Sequence, residues 1–202
     1  MPIQTPPGLL ELVLQRTSED VFEPDSVADA PLVRFTAYTI RQHVHGWVRL
    51  RADRLTDLLN AHDDLLLMDV ELETLASGLI GTVDEVLIRR ADLIAVQAAG
   101  PRGHIGLRLA TERHPIAVQV GDYLVGGHLH AVPGVDPIAS AWERPAMVPL
   151  TEAWIELWTD GRRQHQSLGT VIVNRDLADW IRVVTEDDLT SGRLRPTEAD
   201  PR

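Results

Sequence analysis

The chain has 202 residues, 44% hydrophobic and 24% charged, with a formal net charge of −11 and no cysteine. That composition suits one larger or two smaller globular cores and excludes a chain disordered throughout. The acidic balance argues against nucleic acid or an anionic membrane as partner, and the lack of cysteine removes disulfides, thiolate catalysis and cysteine-based zinc sites.

Residues 1 to 30 form an N-terminal segment in which Leu9, Leu10, Val13 and Leu14 have the spacing of a short amphipathic helix. It lacks the positive start of a signal peptide, and no apolar run approaches the about 20 residues that span a bilayer, so a cytoplasmic protein is expected. From 31 to 97 the pattern is strand-like, over residues 33 to 40, 44 to 51, 65 to 75, 85 to 90 and 93 to 97. Alternation puts Val44, Gly46, Val48 and Leu50 on a core face and His45, Trp47, Arg49 and Arg51 on the other. Asp53 is placed to cap a helical turn carrying Leu55, Leu58 and Leu59, which Asn60 would end in a left-handed conformation.

Residues 98 to 113 read as a connector, with a possible short strand at 105 to 109. From 114 to 184 the strand pattern starts again, at 115 to 120, 123 to 132, 148 to 158, 170 to 174 and 180 to 184. Setting Gly46 on Gly127 brings Val44 onto Val125 and Val48 onto Leu129. Setting Val86 on Val171 brings Ile88 onto Val173 and Val96 onto Ile181. Matching Leu75 to Leu157 shifts the phase and sets Ile155 against Glu73, a point against strict duplication. The expected fold is therefore mainly β with short helices, as two similar small β-barrel or sheet units in tandem; the alternative is one irregular β-rich domain. Residues 185 to 202 are polar and read as a disordered tail.

Gly46 followed by Arg54-Leu-Thr-Asp-Leu-Leu-Asn60 and Leu65-Leu-Leu-Met-Asp-Val70 resembles a small uncharacterised bacterial β domain. That family has no assigned activity, so the resemblance implies no catalytic residues. The bent strands and short helix are similar in layout to Sm-like barrels, by analogy alone.

His43 with His45, and His128 with His130, form His-x-His pairs that put both imidazoles on one side of a strand, a geometry able to chelate metal. No third ligand follows by spacing, so edge histidines are the simpler account and no metal or cofactor is assigned. The acidic row Asp69, Glu71, Glu73 reads as a solvated strand face, and no catalytic, phosphate-binding or nucleophile motif is present. Trp154 and Trp158 lie four apart on a strand beside Glu152 and Glu156, a pattern that suits either a partner surface or a covered core edge. The expected function is a non-enzymatic interaction, scaffold or regulatory module. It would bind a protein partner or itself through strand edges and through His45, Trp47, Arg49, His128, His130, Trp154 and Trp158. The alternatives are a small-ligand or metal-binding enzyme using His128 and His130, and, against the charge balance, Sm-like RNA binding.

Overall fold

The structure is a computed structural model that describes residues 30–100, 110–159, 162–191 and 194. Ten strands dominate it. In chain order they are β1 (Leu32–Tyr38), β2 (Gln42–Arg49), β3 (Asp64–Thr74), β4 (Ile80–Arg89), β5 (Ala95–Gln97), β6 (Glu112–Val120), β7 (Tyr123–Ala131), β8 (Met147–Thr159), β9 (Arg162–Asn174) and β10 (Trp180–Val183). Three short helices accompany them: α1 (Leu55–Ala61) between β2 and β3, α2 (Pro137–Glu143) between β7 and β8, and α3 (Glu186–Ser191) after β10. Among the described residues no helix is long and apolar enough to cross a membrane.

All ten strands form one antiparallel sheet in the order β10-β6-β7-β8-β9-β5-β1-β2-β3-β4. The sheet is open. Closed barrels do not form, because β5 pairs with β9 instead of turning back onto β4. Within that order β1 to β5 occupy β5-β1-β2-β3-β4, and β6 to β10 occupy β10-β6-β7-β8-β9. The alternation read from the sequence holds where it was strongest: Val44, Gly46, Val48 and Leu50 are buried and Trp47 is exposed.

Besides an irregularity between the pairs Ala153–Gly169 and Trp154–Ser167 of β8 and β9, two bulges bend the sheet. One lies where β2 meets β3, between the pairs His45–Glu71 and Trp47–Met68, with Asp69 at φ +50°. The other lies where β7 meets β8, between Gly126–Trp154 and His128–Thr151, with Glu152 at φ +49°. The extra residue re-aims the strand, and opposite it stand Gly46 and Gly127. A Cβ on Gly127 would sit 3.0 Å from those of Ala153 and Leu150, so the glycine lets the bent strands close up.

The core is shared across the seam between β5 and β9. Met147 and Ile172 pack with Phe35, Leu59 and Val96, while Tyr38, Ile94 and Ala95 pack with Ile116, Val125 and Leu150. Separate cores were expected; the apolar strand ends at the seam have nowhere else to hide from water.

Other local expectations are corrected. Asp53 does not cap α1: Arg54 holds that position and its guanidinium binds Asp57 at 2.8 Å and 2.9 Å. Asn60 is not left-handed, since the helix leaves through His62 in an extended conformation. Between β7 and β8, where the sequence shows no strand pattern, α2 forms, capped by Asp136, whose carboxylate accepts from the Ala139 amide at 2.8 Å. Strands β4 and β9 start earlier than their apolar alternation, because backbone pairing with β3 and β8 extends through polar residues. The supposed tail begins as α3, with Leu189 and Leu194 buried against Ala117, Leu124 and Trp154. The N-terminal helix and the strand at 105 to 109 lie outside the described residues.

Candidate functional site

The outward faces of the strands carry the residues picked out in the sequence, and the structure separates them into two groups. On β2, Trp47 is 40% exposed, between Arg34 on β1 and Met68 on β3. His45 beside it is half-buried, with Nδ1 3.3 Å from the Thr36 hydroxyl. Arg49 is half-buried two residues on. This face continues outward to the paired Leu66 of β3 and Leu87 of β4, both exposed.

The other group is covered. His128 on β7 is only 4% exposed, with Nε2 3.1 Å from both carboxylate oxygens of Glu186, the first residue of α3. Its Nδ1 is 3.4 Å from Glu152 but makes no hydrogen bond, and Glu152 also binds Arg113. Trp154 is buried, its indole N–H donating to the Leu189 carbonyl at 3.0 Å. Its ring fills the space above Gly126, where a Cβ would stand 2.3 Å from the indole. Sequence reasoning missed this cover because α3 is short and mostly polar. Leu189 was the one available signal.

His130 sits at 2.8 Å from the Thr151 hydroxyl and 3.2 Å from that of Thr111. Burial, with Arg113, His128 and Arg144 around it, holds this imidazole below its usual range despite the nearby Glu152. Both histidines are thus engaged with different partners. Among the described residues no group of three His, Cys, Asp or Glu is arranged to hold a metal ion. Trp158 is half-buried, with its indole N–H unbonded and the Arg163 guanidinium 5.9 Å from the ring centre. Between the two tryptophans Glu156 is fully buried and bound by Arg163 and His165, so the acid beside the aromatics is a structural ion pair.

A recess of about 240 Å³ lies where the β1–β2 turn meets β7, β8 and β9, with Ile155 and Leu157 in its wall beside Tyr38, His43, Tyr123, Gln164, His165 and Gln166. Its hydroxyls are committed: Tyr38 donates to Gln166 at 2.9 Å, and Tyr123 donates to the Thr39 carbonyl at 3.1 Å. Burial pushes the Tyr38 hydroxyl up to about 12 and lowers His43, against the opposing pull of Glu73. This cluster holds the turn against the sheet.

No protein-family model, curated protein or solved structure matches the chain. The site must be judged on its own geometry, and its least satisfied feature is the rim of the sheet. Among the described residues β4 and β10 pair on one side only. Strand β4 carries Ile80, Val83 and Leu87 exposed, with Leu87 at 66%. An unpaired row of amides and carbonyls beside exposed aliphatic side chains is a template for another strand.

Proposed function

We propose that the chain is a non-enzymatic interaction module, two similar small β units in tandem with an Sm-like layout, that self-associates through its open strand edges. The observation that carries the reading is the pair of edge strands, β4 and β10, at opposite ends of one sheet, each paired on one side only among the described residues. The tandem arrangement is supported by the matching strand orders and by the two bulges, which bring Gly46 and Asp69 into correspondence with Gly127 and Glu152. Counting through the second bulge moves the middle strand by one residue, so Leu72 corresponds to Ile155 and the phase conflict seen in the sequence disappears.

The competing enzyme reading would use His128 and His130. Against it, each nitrogen of the His128 ring already faces a carboxylate, Nδ1 that of Glu152 at 3.4 Å and Nε2 that of Glu186 at 3.1 Å, an arrangement that fastens α3. Stoichiometric metal in untagged protein, lost on His130→Ala, would reverse that preference. The proposal itself is tested by sedimentation velocity of the full chain. Concentration-dependent species heavier than one chain are expected, and a monomer at every concentration sinks the reading.

A further inference from the structure

We infer that copies of this chain join head to tail, β10 of one against β4 of the next, in the register that already joins β5 to β9 inside the chain. The inference rests on the tandem reading above and names its partner, a second copy, and its contact.

The internal seam is short and well defined. Ala95 pairs with Val173, Val96 with Ile172 and Gln97 with Val171. It is extended by the Ala98 amide donating to the Thr170 carbonyl and the Asn174 amide donating to the Ile94 carbonyl, at 3.0 Å and 2.9 Å. Printing this seam onto β4 and β10, which pair on one side only among the described residues, needs only the observed registers. Trp47 pairs with Met68 and Met68 with Glu85, as His128 pairs with Thr151 and Thr151 with Thr170. Glu85 therefore corresponds to Thr170, and Val86, Leu87 and Ile88 stand where Val171, Ile172 and Val173 stand. Likewise Ala37 pairs with Val96 as Val118 pairs with Ile181, so Trp180, Ile181 and Arg182 stand where Ala95, Val96 and Gln97 stand. Across the boundary between copies, Trp180 meets Ile88, Ile181 meets Leu87, and Arg182 meets Val86.

The side chains suit this contact. Ile172 is fully buried at the internal seam, whereas Leu87 in the corresponding place is exposed. The acids Asp84 and Glu85 lie on β4, and Arg182 on β10 would sit diagonal to Asp84 on the same face. Pairing β4 with β4 about Asp84 and Glu85 would oppose acid to acid, and β10 with β10 about Arg182 would oppose that residue to itself, so charge favours the unlike edges. Such a heterologous contact repeats from copy to copy, into a ring or a filament. One element of the seam is missing: α2 contains no asparagine to repeat the bonds Asn60 makes to Met147. The contact between copies is accordingly weaker than the internal seam and reverses on dilution.

The chain has no cysteine, so introduced thiols report unambiguously. The Gln97–Val171 pair lies between the hydrogen-bonded positions, where opposed Cα atoms are about 4.5 Å apart, close enough for a disulfide. Its counterparts are Val86 and Arg182. Under mild oxidation a mixture of Val86→Cys and Arg182→Cys chains is expected to form a mixed disulfide, while each variant alone stays uncrosslinked. In addition Leu87→Lys, at an exposed site, is expected to keep the circular dichroism spectrum and weaken self-association at least tenfold. Crosslinking of either single variant with itself, or undiminished association of Leu87→Lys, overturns the inference. A chain that self-associates without forming the mixed disulfide overturns the inference and leaves the proposed function standing, whereas a monomeric chain overturns both.

Discussion

The side chain of Asn60 and the backbone of Met147 form a closed pair of hydrogen bonds: the Asn60 amide donates to the Met147 carbonyl, and the Met147 amide donates to the Asn60 side-chain oxygen, both at 3.0 Å. They lie 87 residues apart in sequence and stitch α1 to the start of β8. Arg90 adds to the same corner, reaching the Asn60 carbonyl at 3.4 Å and Asp63 at 2.6 Å. Asn60→Leu would leave the buried Met147 with two unmet backbone groups. A loss of about 2–3 kcal/mol is expected, read by urea denaturation, with Asn60→Asp losing less because it keeps the acceptor.

Gly126 and Trp154 share one space. Gly126→Ala places a methyl where the indole and Leu189 stand, and is expected to cost about 2 kcal/mol through overpacking. Denaturant titration measures it, and the tryptophan emission should shift as the ring is displaced. Because the two residues touch, Gly126→Ala combined with Trp154→Leu should cost less than the sum of the single changes.

Asp69 is an exposed residue held in the left-handed region to make the first bulge. Asn or Gly adopts that conformation more readily. Asp69→Asn is expected to raise stability by about 0.5 kcal/mol, seen as a higher urea midpoint at unchanged slope. A loss of stability would mean that the carboxylate, not the backbone, matters at the bulge.

His43 and His130 are both held below the ordinary imidazole value of about 6.5, chiefly by burial. The unfolded chain takes up protons at these positions near pH 6.5 while the folded chain does so only at lower pH. Stability from this source is present above 6.5, falls as pH drops through that value, and stops falling once the folded values are passed. Comparing urea unfolding at pH 7.5 and 5.5, the difference should shrink in His43→Gln and in His130→Gln. Glu73 facing His43, and Glu152 near His130, limit the size of the effect because each favours the protonated ring.

The strands were largely legible in the sequence, since alternating burial is a property of each strand's own backbone. Val44, Val48 and Val125 announce their faces without reference to anything distant, whereas alternation carried back from Val70 and Leu72 puts Leu66 inside, and the structure exposes Leu66 and buries Leu67. The phase of β3 and β8 was harder to read. It shifts at Asp69 and Glu152, where the backbone is left-handed, a conformation that Asp signals only weakly and Glu not at all. Of the candidate binding residues, Trp47 emerged at the surface as read, whereas His128 and Trp154 are covered by a six-residue helix too short and polar to show in the pattern.

The amino-acid order alone determined a chain rich in β-strands, with the inner face of β2 set by alternation and a backbone free of any cysteine linkage. Which strand meets which was decided only in three dimensions. The joining of β5 to β9, the sharing of core residues across it and the exposure of β4 and β10 all depend on edges far apart in sequence. A strand's unpaired amides carry no local label for their partner. Pairing is settled by which apolar faces can be buried together once the whole sheet forms.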